Sequence, residues 1–254
     1  MRIVILGTGN LATQLGMALH TQHAEIIQVY GRTDTSASDL ANLLGCTSTT
    51  SKPEIITDAD LYILAISETA IIEVLSDVPF RDRLIVHTSG SISIDILAPF
   101  SENYGVFYPL QTLSKQKVVD FSTVPICIEA NNSLNLNKLN GLAQLISGEV
   151  HNIDSIQRRQ LHLAAVFVCN FVNHFYAIGE KLLQEQHLDF NLLKPLITET
   201  TQKAMLFSPP EVQTGPAIRG NQKIMELHLK LVEQHPEWQK LYELISNDIL
   251  STHP

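Results

Sequence analysis

Positive charge is scarce in this chain: 17 Lys and Arg face 26 Asp and Glu across 254 residues, a formal net charge of −9. Without a basic face, neither a nucleic acid nor an anionic membrane is expected as a partner. Cysteine is equally sparse. Cys46, Cys127 and Cys169 are odd in number, far apart and outside zinc-site spacing, which argues against a disulfide framework and for reduced thiols. The first residues lack a basic region followed by a long apolar segment, so no signal peptide is expected and the cytoplasm is the expected location. His20, His23, His151, His228, His235 and His253 have no ligand spacing and no carboxylate cluster beside them; no metal site is expected. Internal repeats, low-complexity tracts and a flexible linker are missing too. What remains is 44% hydrophobic, enough for a sizeable core in one large domain or two modest ones.

The most informative segment that is present lies at the start. The apolar run Arg2–Leu6 feeds into Gly7-Thr8-Gly9-Asn10-Leu11-Ala12, and Leu11, Leu15, Ala18 and Leu19 then make a helical stripe. A strand, a glycine turn and a helix in that order form a cradle for a dinucleotide pyrophosphate. Gly7 permits the tight turn, Gly9 lets the backbone approach the phosphates, and Ala12 keeps helix and strand close. The phosphates would sit at the positive helix end. About twenty residues on, the strand Glu25–Tyr30 exits into Gly31-Arg32-Thr33-Asp34. An acidic residue there would bind a ribose 2′-hydroxyl, whereas Arg32 suits a 2′-phosphate, with the Thr33 hydroxyl as a further donor. The expected cofactor is NADP. The alternatives are an unliganded glycine turn and a solvated Arg32.

Further along, Ser36–Leu44 reads as a helix ending at Gly45. The strand Leu61–Ile66, including Ala65 and Ile66, is followed by Ser67 as the cap of a helix over Glu68–Val78. The strand Leu84–Thr88 leads into Ser89-Gly90-Ser91 and a short helix at Ile94–Leu97. Gly105–Pro109 and Val124–Glu129 read as more strands. Such alternation predicts an α/β fold with a doubly wound, mostly parallel sheet and ligands beyond the carboxyl ends of its strands, where Ser67, His87, Thr88 and Ser89 fall. Beyond Asp154 strand signals stop. A helical pattern covers Ser155 to about Gln186, then Phe190–Leu206, Asn221–Gln234 and Pro236–Leu250. The expected division is a nucleotide-binding domain at 1–153 and an all-helical domain at 154–254, with substrate in the cleft between them. Residues 161–178 are apolar enough to resemble a membrane span, yet His162, Asn170, Asn173 and His174 would be costly in lipid, so a buried helix is expected.

At about 100° per residue, His162 and Asn173 fall on one helix face with Asn170 to one side. His162 would then move a proton while the carboxamides orient a carbonyl or imine; alternatively, all three are hydrogen-bonded core groups. His87 either approaches the nicotinamide ribose or sits satisfied under a loop. Tyr108 would donate a proton if a neighbouring cation lowered its pKa, or else pack at an interface. Glu199 and Lys203 are spaced for a surface ion pair. Arg219 would clamp a substrate carboxylate from a lid, or make an ion pair.

Taken together, Gly7–Ala12, His87–Ser91, Tyr108-Pro-Leu-Gln-Thr112, His162 through Asn170 and Gln213–Ala217 with Arg219-Gly220 resemble a Rossmann-like family with a C-terminal helical domain of unknown function. The resemblance covers nearly the whole chain. It implies kinship with deazaflavin-dependent NADP oxidoreductases, pyrroline-5-carboxylate reductase and 3-hydroxyacid dehydrogenases, and with it a homodimer formed through the helical domain. Two departures stand out. Val166 occupies the place, four residues before Asn170, where 3-hydroxyacid dehydrogenases carry their catalytic lysine, and Tyr108-Pro109 replaces the His-Pro of prephenate-dehydrogenase-like proteins. The expected function is hydride transfer between NADP(H) and a small carbonyl, hydroxyl or imine substrate. A non-catalytic NADP sensor and a structural dimer module with a vestigial cofactor loop are the alternatives.

Overall fold

A computed structural model describes residues 1–252; His253 therefore lies outside the described residues. Eight strands form one sheet in the order β3-β2-β1-β4-β5-β6-β7-β8. They are β1 (Arg2–Leu6), β2 (Glu25–Tyr30), β3 (Thr47–Thr49), β4 (Leu61–Leu64), β5 (Leu84–His87), β6 (Asn103–Pro109), β7 (Ile126–Ala130) and β8 (Val150–Asn152). All neighbours pair in parallel except β6 and β7. The doubly wound arrangement is as expected, and its strand order reverses between β1 and β4, where such sheets bind ligands.

The strands are continuous apolar runs because both faces of the sheet are covered. Ile3, Ile5, Leu61 and Ile63 enter one core, while the alternating Val4, Leu6, Tyr62 and Leu64 enter the other. Each such aliphatic side chain, fully withdrawn from water, contributes about 1.5–3 kcal/mol. On the first face lie α1 (Asn10–Thr21), α2 (Asp34–Leu44) and α4 (Ser133–Ile146); on the second lies α3 (Glu68–Ser76). Helix α2 starts at Thr33 as N-cap and stops at Gly45, whose φ of +65° is the left-handed cap that glycine adopts without penalty. The helix after β4 ends at Ser76 rather than Val78, and Ser67 stands at its N-cap position without making a cap bond.

Strands β3 and β8 and helix α4 were not anticipated. The two strands are three-residue pieces of mostly polar sequence, too short for an alternating pattern to register. Helix α4 did carry a signal: Asn132 accepts from the Asn135 amide as N-cap, and Leu139, Leu142, Ala143 and Ile146 form its buried stripe.

From Ser155 the chain runs through α5 (Ser155–Ala165), a π-helical turn at Val166–Phe171 and α6 (Val172–Glu185). A capping box, with Asp154 bonded to the Gln157 amide and the Gln157 side chain returned to the Asp154 amide, starts it. The segment is long and apolar enough to cross a membrane by length and composition, and none of that window is buried within the chain. This corrects the expectation of a buried helix: Leu163, Phe167, Val168, Phe171 and Phe175 are all exposed. Their apolar character reflects a surface left uncovered by this one chain.

By compactness the chain divides into Met1–Asn173 and a second unit beginning at His174. The first unit thus includes α5 and the π turn, some twenty residues past the change from strands to helices at 153/154. In the second unit, α7 (Lys194–Leu206), α8 (Gln222–Leu231) and α9 (Pro236–Thr252) follow α6. His228 Nδ1 meets the Tyr242 hydroxyl at 2.8 Å, tying α8 to α9. His235 stacks on Trp238 and bonds Glu185 at 2.9 Å. Glu199 and Lys203 form the expected i,i+4 pair at 3.1 Å, and Arg219 is exposed.

Candidate active site

A cavity of about 270 Å³ opens at the carboxyl ends of β1, β2 and β4. Gly7, Thr8, Gly9, Arg32, Ala65, Ile66 and Ser67 line it together with Tyr30, Gly31, Ala70, Glu73 and Val74. The turn that shapes it demands glycine. Gly7 has φ +129°, and a Cβ there would stand 2.1 Å from the Ala65 carbonyl oxygen. At Gly9 the situation is opposite: a Cβ would meet no protein atom within 4 Å, so the backbone faces open space at the start of α1. The first amides of a helix lack partners within it. A bare glycine at such an end, beside open space, fits an approaching phosphate.

Arg32 is exposed on the cavity wall and makes no ion pair among the described residues. The nearby Asp34 is occupied, accepting from the Thr50 hydroxyl at 2.9 Å. Thr33 is not a free donor as expected. Its hydroxyl caps α2 by accepting from the Ser36 amide and lies 2.7 Å from the Ser36 hydroxyl, which also accepts from Thr8 at 3.1 Å. Asn10 and Leu11 open α1 and are not among the lining residues. Close packing of α1 falls at Gly16 as well as Ala12: a Cβ on Gly16 would stand 2.9 Å from Leu44.

His87, Thr88 and Ser89 do not line the cavity either. His87 is fully buried, its Nδ1 accepts from the Ser89 amide at 3.2 Å, and its Nε2 has no partner among the described residues. Burial, with the Arg158 charge adding to it, pushes this imidazole down to about 3, so it is neutral. Thr88 is buried and donates to the Leu64 carbonyl. Ser89 donates to Glu68 at 2.5 Å.

Two expected residues do meet. The Tyr108 hydroxyl, at the end of β6, lies 3.1 Å from His162 Nδ1 on α5. Tyr108 stands three strands from β1 along the same sheet edge, about 14 Å at ordinary strand spacing. A cation does lie near it, as required for an acidified phenol, but burial outweighs the Arg158 charge and raises Tyr108 to about 12. The phenol therefore keeps its proton.

Asn170 and Asn173 are exposed, and neither carboxamide has a partner among the described residues. They are not hydrogen-bonded core groups, and the register predicted for them fails. A π turn inserts one residue into the helical path, rotating everything beyond it by about 100° relative to a continuous α-helix. Asn170 lies within that turn and Asn173 just past it.

Sequence reasoning missed Arg158, Glu129 and Glu68. Arg158 is buried, pairs with Glu129 and donates to the Ile92 carbonyl at 2.6 Å and to Ser155 at 3.1 Å. Ser155 in turn accepts from the Ile94 amide and donates to Glu129 at 2.8 Å. These bonds bolt the start of α5 to β7 and to the chain after Ser91, fixing where His162 stands. No local pattern links them, since Glu129 and Arg158 stand 29 positions apart on a strand and a helix.

Comparison with known proteins places this geometry in context. Residues 2–99 match the family model described as NADP oxidoreductase coenzyme F420-dependent, and residues 124–249 match a domain of unknown function, DUF2520. Nothing among curated proteins matches the chain. The crystal structure of BF3122 from Bacteroides fragilis, classed by inference as an NADP oxidoreductase, is 42% identical over 98% of each chain with a TM-score of 0.94. A reductive aminase from Aspergillus terreus, solved with NADPH and ethyl levulinate, shares 14% identity over 99% of this chain and 94% of its own, with a TM-score of 0.75. A 1-pyrroline-5-carboxylate reductase from Streptococcus pyogenes shares 16% over 99% and 98%, with a TM-score of 0.66. At those identities the last two speak to fold alone.

Proposed function

The chain belongs to the Rossmann-like NADP oxidoreductase family whose C-terminal part is the DUF2520 domain, and from that membership we propose that it transfers hydride between NADP(H) and a small carbonyl, hydroxyl or imine substrate. The observation that carries this reading is the pairing, on one sheet edge, of a glycine-turn cavity walled by Arg32 with the Tyr108–His162 hydrogen bond. Gly7, Thr8 and Gly9 would hold the pyrophosphate at the amino end of α1, and Arg32 would bind the 2′-phosphate. The bound nicotinamide supplies or accepts the hydride. Tyr108 and His162 handle the proton that accompanies it, while Asn170 and Asn173, exposed but turned off the His162 face by the π turn, would meet substrate only from beside that face. The match of residues 2–99 to the NADP oxidoreductase model supports the same class of cofactor. Calorimetry with NADPH and NADH tests the cofactor half: no heat from either removes the proposal. Separate His162→Gln and Tyr108→Phe substitutions test the proton route, and unchanged turnover in both removes it.

The helical region 154–254 acts, in this reading, as the substrate-cleft and dimerisation domain. The exposed Phe167, Val168, Phe171 and Phe175 form an apolar surface of the kind that soluble monomers seldom leave uncovered. A second copy covers it in a homodimer; His162, Asn170, Asn173 and His174 on the same segment make lipid a poor alternative. Phe167→Glu with Phe171→Glu should halve the mass seen by light scattering. A wild-type monomer at micromolar concentration would overturn this.

A further inference from the structure

The turn Ser89-Gly90-Ser91 is built around one carboxylate. Glu68, in the first turn of α3, accepts from the hydroxyls of Ser89 and Ser91, and the Ser91 amide donates to Ser89 Oγ at 3.1 Å. Those hydroxyl bonds hold the Glu68 carboxyl below its ordinary range, so it is an ionised acceptor at neutral pH. The turn has a purpose beyond itself. A Cβ on Gly90 would stand 2.7 Å from Cγ and Nδ1 of His162, so the imidazole lies directly against the glycine backbone. Its Nδ1 faces the Tyr108 hydroxyl at 3.1 Å.

The phenol is buried and has no other partner among the described residues. Were Nδ1 to carry the hydrogen, the phenol proton would have no acceptor, an arrangement native interiors avoid. The phenol therefore donates, Nδ1 accepts, and a ring with a single N–H bears it on Nε2. The geometry points to Glu68 as a positioning residue that, through the Ser89–Ser91 turn, holds His162 in the Nε2–H tautomer and so makes that N–H the group offered to substrate.

The last step rests on the oxidoreductase reading; the tautomer does not. For a carbonyl substrate the step balances as a relay. Hydride addition to carbon leaves an alkoxide, the alkoxide takes the Nε2 proton, and Nδ1 takes the phenol proton. Tyr108 ends as a phenolate; once product leaves, solvent protonates Nε2 and Nδ1 returns its proton to the phenolate, which restores both groups. A phenol near 12 is a far stronger acid than an alcohol, so the transfer runs downhill even from this raised value.

The test is ¹⁵N NMR of the imidazole nitrogens in the full-length protein, with His162 assigned by comparison with His162→Gln. In wild type, Nε2 should carry the pyrrole-type shift and Nδ1 the pyridine-type shift. In Glu68→Ala the separation should collapse to less than half, while Glu68→Gln, which keeps an acceptor oxygen, should restore most of it. If Glu68→Ala fails to fold by circular dichroism, the paired Ser89→Ala, Ser91→Ala variant takes its place. A wild-type ring protonated at Nδ1, or an unchanged separation in the folded variant, overturns the proposal. NADPH calorimetry on the same samples is read separately, so a failed cofactor reading is not confused with a failed tautomer.

Discussion

The Arg158 guanidinium pairs with the Glu129 carboxylate in the interior of the protein, with only 1% of the arginine side chain and 15% of the glutamate side chain exposed. A guanidinium presents several donors in a fixed plane, and here one arm takes the carboxylate while another takes the Ile92 carbonyl and Ser155. Removing one partner strands the other charge. Arg158→Met should lower unfolding free energy by about 3–5 kcal/mol, and Arg158→Met with Glu129→Gln should recover part of the loss. Urea denaturation of the three proteins checks it; equal losses for the single and double variants would refute the pairing as the cause.

The two glycines of the first turn should fail differently. Gly7→Ala forces a Cβ onto the Ala65 carbonyl at a positive φ, which should cost about 2–6 kcal/mol from strain and overpacking together. Gly9→Ala meets nothing, and its cost at the helix N-cap should be about 1 kcal/mol or less. Its Cβ instead occupies the phosphate path, so NADPH affinity should fall while thermal stability stays near wild type. Melting curves and calorimetry separate the two effects.

Replacing Arg32 by Ser should weaken NADPH and leave NADH almost unchanged. A charge-assisted bond to phosphate contributes about 1.5–3 kcal/mol, or roughly 10- to 150-fold in Kd. Titration of both nucleotides against wild type and variant measures the ratio; an unaltered preference would show that the 2′-phosphate is read elsewhere.

His87 makes stability pH-dependent. Its buried imidazole titrates near 3 in the folded chain and near 6.5 when unfolded. Above about pH 6.5 neither state is protonated and nothing is lost. As pH falls, the unfolded chain takes up a proton that the native state refuses, a loss of about 2 kcal/mol by pH 5. His87→Phe should flatten that decline in urea midpoints compared at pH 7 and pH 5. Parallel declines would place the effect in other groups.

Much of the nucleotide-binding half was legible because its signals are local. A glycine that must adopt φ +129° beside a neighbouring carbonyl, and strands buried on both faces, leave direct marks in composition and order. Arg32 could be assigned to the cavity wall because it leaves a strand whose position in such a sheet is set by the crossover. Strands β3 and β8 left no such mark, being three residues each and at the sheet edges.

The register of the long helix was misjudged for a specific reason. Counting 100° steps from His162 to Asn173 assumes an uninterrupted α-helix, and the Val166–Phe171 π turn breaks that count. Nothing in the composition of Val-Phe-Val-Cys-Asn-Phe distinguishes a π turn from an α turn, since both accept the same residues.

The order of residues alone therefore determined the strand–turn–helix opening, the placing of Arg32 at the exit of the second strand, the alternating architecture and the pairing of Glu199 with Lys203. Each depends on atoms within a few positions of one another, where sterics and spacing suffice. Only the folded chain decided that Tyr108 meets His162 across 54 positions, that Glu68 grips the turn beneath that ring, and that Arg158 lies buried against Glu129. Those contacts come from different strands and helices, brought together by burial of the sheet's two faces, and their strength depends on how much water that burial excludes.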